Sequence, residues 1–88
     1  MALEQTASGR WTGDYIVFDE QLSFKEDHIT NRWDVSSKHG EVLGVVRWFS
    51  RWRKYAFFAE PNCVFEQVCL RDIAQFIEER TRDHKAKG

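Results

Sequence analysis

The stretch EVLGVVRWFSRWRKYAFF, residues 41–58, decides the fold of this chain. β-Branched and aromatic side chains fill both of its halves, and such side chains favour extended strands. The polar pair Ser50 and Arg51 separates the two halves, so the pattern predicts an antiparallel hairpin with a two-residue turn. In that register Arg47 lies directly opposite Lys54, and like charges in opposite positions destabilise a sheet.

Further strands and a helix are predicted on either side of this hairpin. Upstream, RWDVS at residues 32–36 alternates apolar and polar side chains, and the turn that follows ends at Gly40. Downstream, residues 67–83 have apolar side chains at helical spacing. The predicted apolar stripe of this helix consists of Leu70, Ile73, Ala74 and Ile77, flanked by Cys69 and Phe76.

The predicted fold class is α+β. It is a three- to four-stranded antiparallel meander sheet, packed on one C-terminal amphipathic helix. Residues 13–83 form a single domain in this interpretation, residues 1–12 a flexible tail and residues 84–88 a frayed basic tail. In the acidic N-terminal segment, residues 14–27, the stretch DYIVF at residues 14–18 is rich in β-formers and predicts a strand, but the path of the segment is left open.

Alternation along the strands divides the predicted sheet into two faces. The core face collects Trp33, Val35, Val42, Gly44, Val46, Trp48, Tyr55 and Phe57, with Arg53 as its one charge. The second face carries basic and aromatic side chains of the hairpin. The two turns were placed independently, yet both put the apolar side chains on the same side, which supports the register.

The second face contains the candidate binding site. Its binding residues are Arg47, Phe49, Arg51, Trp52 and Lys54. Cations neutralise phosphates and exposed rings stack on bases, so this set is typical of a nucleic-acid surface. Two other interpretations stay open: a surface that binds a protein, or a face that the acidic residues 14–27 cover within the domain.

Charge and motifs limit the classes of function. The net charge is −1, but residues 1–30 hold two cations and six carboxylates, whereas residues 31–88 hold eleven cations and eight carboxylates. Cys63 and Cys69 lack the spacing of a metal site, and no motif of a catalytic nucleophile or a phosphate loop is present. We therefore expect a protein that is not an enzyme and that has no metal or other cofactor.

The expected location is the cytoplasm of a bacterial host. The start MALEQTASGRW has neither the charged nor the apolar region of a signal peptide, and no apolar run approaches the length of a membrane span. We expect no membrane association, and either a monomer or a homodimer that forms through an edge strand.

The run from Trp33 to residue 80 resembles a group of small uncharacterised proteins of phages, prophages and bacterial mobile elements. Their pattern is W-x-V, then L-G-x-[IV]-x-W, then W-R-x-Y-x-F, then D-I-x-x-F-I. The matching positions are Trp33, Val35, Leu43, Gly44, Val46, Trp48, Trp52, Arg53, Tyr55, Phe57 and residues 70–77. No function is attached to this group. From the basic-aromatic hairpin we expect a small non-catalytic binding module, derived from a phage or mobile element, that binds nucleic acid or a nucleoprotein. The alternative, by analogy with other small phage proteins, is a module that binds and inhibits a host defence protein.

Overall fold

The computed structural model describes residues 3–21 and 31–87. Over these residues the chain forms an antiparallel sheet of six strands and one helix. The elements are β1 Glu4–Ala7, β2 Arg10–Thr12, β3 Ile16–Gln21, β4 Arg32–Ser37, β5 Val42–Phe49, β6 Lys54–Ala59 and α1 Gln67–Lys87. The strands lie side by side in chain order. The α+β class with a C-terminal helix is confirmed, whereas the predicted count of three to four strands was wrong.

The additional strands come from the N-terminal part of the chain. β1 and β2 lie within residues 1–12, the segment predicted as a tail, and their hairpin turns at Gly9, which has φ +77°. The carbonyl of Gly9 accepts a hydrogen bond from the backbone N–H of Glu20 at 2.7 Å. These strands are short and polar, so they lack the hydrophobic alternation that identifies strands in a sequence.

β3 gives the acidic N-terminal segment its path. It pairs edge to edge with β4 through all six of its residues and puts Ile16 and Phe18 into the core. Residues 16–21 are therefore part of the sheet itself and do not cover its second face. The rest of the segment, residues 22–27, lies outside the described residues.

The β5–β6 hairpin has a longer loop than predicted. Phe49 pairs with Lys54 and Trp48 with Tyr55, so residues 50–53 form a four-residue loop. The register is shifted by two positions from the predicted one. Because side chains alternate with period two, a shift of two leaves the paired residues of this hairpin, 44–49 and 54–59, on their predicted faces. The pairing of Arg47 with Lys54 was wrong: Arg47 lies opposite Ala56.

A bulge separates the two ends of the β4–β5 pair. Val35 pairs with Gly44, but Ser36 pairs with Val42, so Leu43 is an extra residue on β5. Leu43 is buried and Val42 is 59% exposed, which reverses the positions that strict alternation predicts. The predicted core-face position of Val42 was therefore wrong.

The helix packs on the core face through Ile73 and Phe76. Phe76 is fully buried, and its ring stacks on that of Phe18 with the centroids 4.1 Å apart. Ile73 is 4% exposed, whereas Leu70 is 51% exposed and Ala74 is also exposed. The predicted stripe was therefore wrong at Leu70 and Ala74.

Two polar helix residues explain this rotation. The buried carboxylate of Asp72 accepts a hydrogen bond at 3.0 Å from the backbone N–H of Asp14, between β2 and β3. One turn beyond Phe76, the Arg80 guanidinium lies 4.1 Å from the centroid of the Trp11 ring on β2. Both contacts turn the helix toward β2 and its connection to β3, and β2 lies in the segment predicted as a tail.

Candidate functional site

The candidate site surrounds the loop that joins β5 to β6. The Phe49 carbonyl accepts hydrogen bonds from the backbone N–H groups of Trp52, at 3.1 Å, and Arg53, at 2.9 Å. Arg53 adopts a left-handed conformation with φ +57° and is exposed. It therefore lies in the loop. The shorter predicted turn had placed Arg53 on the core face, and that position was wrong. This geometry places Trp52 against the ring of Phe49.

Three rings form an aromatic cluster on the second face, and we call Phe49, Trp52 and Phe58 the hairpin cluster. The centroids of Phe49 and Trp52 are 4.6 Å apart, edge to face. Those of Phe49 and Phe58 are 6.0 Å apart. Trp52 remains 61% exposed, so most of its surface is free to meet a ligand. Phe58 faces the same way in the predicted register, but it was not assigned to the site.

Guanidinium groups lie on the rings of this cluster. The Cζ atom of Arg47 is 3.8 Å from the centroid of Phe58, and that of Arg51 is 6.0 Å from the centroid of Phe49. Exposed contacts of this kind contribute about 0.5–1 kcal/mol. An anionic ligand can therefore draw either guanidinium group away from its ring. A guanidinium stacked on a ring still has its N–H donors directed outward in its own plane.

The remaining cation, Lys54, lies opposite Phe49 at the start of β6. Within residues 3–21 and 31–87, no carboxylate oxygen lies within 4.0 Å of Arg47, Arg51, Arg53 or Lys54. The structure thus brings the predicted site residues together on one corner of the sheet. We call this corner, defined by the hairpin cluster with Arg47, Arg51 and Lys54, the cationic corner.

The opposite part of the second face has a different electrostatic character. Asp19 and Asp34 are directly opposite each other on β3 and β4. Each has an arginine beside it: Arg10 Nε lies 2.7 Å from Asp19, and Arg32 Nε lies 3.6 Å from Asp34. Each arginine neutralises the aspartate beside it, and such exposed ion pairs contribute little to stability. Among the residues that the structure describes, the cations of this face without a carboxylate beside them therefore lie at the cationic corner.

The two thiols belong to the packing around the helix start. The Cys63 thiol lies 3.8 Å from the Val42 carbonyl oxygen, and burial raises the pKa of the Cys69 thiol. Because the thiolate is the nucleophilic form, a raised pKa makes Cys69 less reactive. The Glu66 carboxylate accepts a hydrogen bond at 2.7 Å from the backbone N–H of Cys69, and this bond lowers the pKa of Glu66. Glu66 therefore caps the helix.

Comparison with known proteins finds similarity to a phage protein. An uncharacterised 9.3 kDa protein of Acholeplasma phage L2 is 30% identical over 53 residues, which are 59% of this chain and 68% of the phage protein. No family model matches the chain. No solved structure is significantly similar to it. In the part of the chain that the structure describes, no helix is long and apolar enough to cross a membrane.

Proposed function

This chain belongs to the family of the uncharacterised 9.3 kDa protein of Acholeplasma phage L2, and we propose that it is a small non-catalytic module that binds nucleic acid at the cationic corner. The single observation that carries the proposal is the exposed Trp52 ring, which packs on Phe49. The guanidinium groups of Arg51 and Arg47 lie over the other two rings of the same cluster. We propose that the module acts in the cytoplasm of a bacterial host, and its similarity to a phage protein supports a bacterial host.

Binding would combine stacking with phosphate contacts. A base that stacks on an aromatic side chain gains about 1–3 kcal/mol, and every base has a face that can do so. Arg47, Arg51 and Lys54 would neutralise phosphates beside the stacked base and release counterions. Arg47 would give up its contact with Phe58, which is worth less than a guanidinium–phosphate hydrogen bond pair.

A host protein is the second candidate partner. Trp and Arg are the side chains most enriched where a few residues dominate a protein interface, and Trp52 and Arg51 are adjacent and exposed. In this alternative the module binds and inhibits a host protein, such as a defence factor. A protein partner would need an acidic or apolar patch that is complementary to the cationic corner. The phosphates of any nucleic acid are complementary to the cations of this corner.

Fluorescence anisotropy with labelled single-stranded and duplex DNA tests the proposal. At about 50 mM salt the wild-type protein should bind, and affinity should fall steeply by about 200 mM. Three phosphate contacts give a log–log slope of roughly −2 for a single strand and about −2.7 for a duplex. Trp52→Ala should reduce affinity about 5- to 150-fold, which corresponds to one lost stacking contact.

Tyr15 offers a matched control for Trp52. It is 58% exposed, nearly as much as Trp52 at 61%, but it lies in the connection between β2 and β3. Tyr15→Ala should leave the affinity unchanged. Equal losses for Tyr15→Ala and Trp52→Ala would refute the cationic corner as the binding site, and absence of wild-type binding at the lower salt concentration would refute nucleic-acid binding altogether. In that case, capture of one host protein by the wild type but not by Trp52→Ala would support the alternative.

A further inference from the structure

A cleft lies between β6 and the C-terminal half of the helix, next to the cationic corner. The backbone N–H of Tyr55 donates a hydrogen bond at 3.0 Å to Oγ1 of Thr81, and this bond fixes the helix against β6. The cleft has a volume of about 650 Å³, and Lys54, the first residue of β6 after the hairpin loop, is part of its lining. Lys54 therefore belongs to both the cationic corner and the cleft.

The charges of the cleft are predominantly positive. Lys54, Arg82 and Lys85 line it together with one carboxylate, that of Glu78. Among the residues that the structure describes, Arg82 and Lys85 have no carboxylate oxygen within 4.0 Å. The neighbouring carboxylate of Asp83 is directed instead to Arg80, whose guanidinium it meets at 3.1 Å. The cleft thus presents three cations to an anionic ligand.

The aliphatic part of the cleft suits a nucleotide as well as a phosphate. Ile77 and Ala86 contribute apolar surface between the cations. Apolar surface beside positively charged groups is the combination that accepts the bases or sugars of a strand whose phosphates are neutralised.

We infer that this cleft is a second subsite for the same nucleic acid, and that the ligand is a single strand. The inference rests on the proposed function. A strand stacked on Trp52 would leave the second face at Lys54, pass around the edge strand β6, and place its next phosphates beside Arg82 and Lys85. A duplex has a persistence length of about 150 base pairs and does not turn around one strand of a sheet.

Two lengths of thymidine oligonucleotide test the inference in anisotropy titrations. The shorter has about 6 nucleotides, enough for the cationic corner, and the longer has about 20, enough to reach the cleft as well. The variant Arg82→Gln/Lys85→Gln should weaken binding of the longer strand and reduce its log–log salt slope by about 1.4, since each cation on a single strand contributes about 0.7. The shorter strand should bind this variant as it binds the wild type.

The control Lys38→Gln/Arg71→Gln removes the same charge from two exposed positions outside both sites. It should not change the salt slope for the longer strand. Equal effects of the two double variants, or no effect of either, would overturn the second subsite while the proposed function stands. Duplex DNA bound as tightly as the longer single strand, with the same response to the cleft variant, would overturn the single-strand path. Failure of the wild type to bind either oligonucleotide would overturn both.

Discussion

The rotation of the helix on the sheet can be tested with one pair of substitutions. Ile73→Ala and Leu70→Ala each remove three carbon atoms, and the two positions are three residues apart on the same helix. Ile73 is 4% exposed and belongs to the core cluster, whereas Leu70 is 51% exposed. If the core lies where the structure places it, the two variants should differ greatly in stability.

The expected difference follows from burial. Three carbon atoms removed from water are worth about 2.4 kcal/mol at roughly 0.8 kcal/mol each, and the cavity that remains adds to this. We therefore expect Ile73→Ala to lower the free energy of unfolding by about 3 kcal/mol. Leu70→Ala should lower it by less than about 1 kcal/mol, because half of the side chain is already in water and Ala is the better helix former.

Urea unfolding, followed by circular dichroism and tryptophan fluorescence, measures both free energies. In thermal unfolding, about 3 kcal/mol corresponds to a fall in Tm of roughly 12–24 °C for a domain of this size. If Ile73→Ala does not fold, Ile73→Val should still show a loss of about 1 kcal/mol. Equal losses at the two positions, or a larger loss at Leu70, would refute the packing and restore the stripe that the sequence predicts.

Three further outcomes follow from close contacts in the core. Gly44→Ala should destabilise the fold by about 1–3 kcal/mol, because the new Cβ would clash with the backbone carbonyl oxygen of Phe58 and lie 2.8 Å from the Phe57 ring; an unchanged urea midpoint would contradict this. Asp72→Ala should lower the free energy of unfolding by about 1–3 kcal/mol, since the N–H of Asp14 would lose its acceptor, and a loss within measurement error would show that this bond is not structural. Burial raises the pKa of Tyr55, so the stability from its neutral phenol is complete below the unfolded pKa of about 10 and is lost as pH rises through the folded pKa. When the pH is raised into the alkaline range, the Tyr55→Phe variant should therefore lose less stability than the wild type, as measured by urea titrations. Equal losses in the two proteins would contradict the raised pKa of Tyr55.

Much of the sheet could be predicted because side-chain alternation is robust to errors in loop length. The two-residue turn at Ser50 was wrong, yet Trp48 and Tyr55 still occupy the core face, because the actual register differs by an even number. The left-handed conformation of Arg53 that lengthens the loop has no clear signal in the sequence, since Gly or Asn usually marks such a position. Leu43 does not lie on its predicted face, because a bulge in β5 interrupts the alternation.

The parts that could not be predicted depend on polar contacts between distant segments. Asp72 and Arg80 look like surface residues in the sequence, but in the fold they contact Asp14 and Trp11. A hydrophobic pattern cannot show that a buried carboxylate will find a backbone N–H on another element. The same limit applies to the cleft, because Lys54 meets the helix only after the helix has packed on β6.

The members of the candidate site are close together in the sequence, so a local pattern was enough to find them. Arg47, Phe49, Arg51 and Trp52 lie within six residues and meet through the hairpin that they form. Phe58 was missed because it comes from the far strand and carries no charge. Its role as the surface under the Arg47 guanidinium depends on the observed register.

The indole N–H signals of the four tryptophans provide the most direct test of the central claim, that nucleic acid binds at the cationic corner. They can be followed by two-dimensional ¹H–¹⁵N NMR while a single-stranded oligonucleotide is added at about 50 mM salt. Trp52 is 61% exposed and should shift progressively to saturation, whereas Trp33 is 5% exposed in the core and should not move. Unchanged signals from all four indoles, or a shift of Trp11 while Trp52 stays in place, would contradict the account.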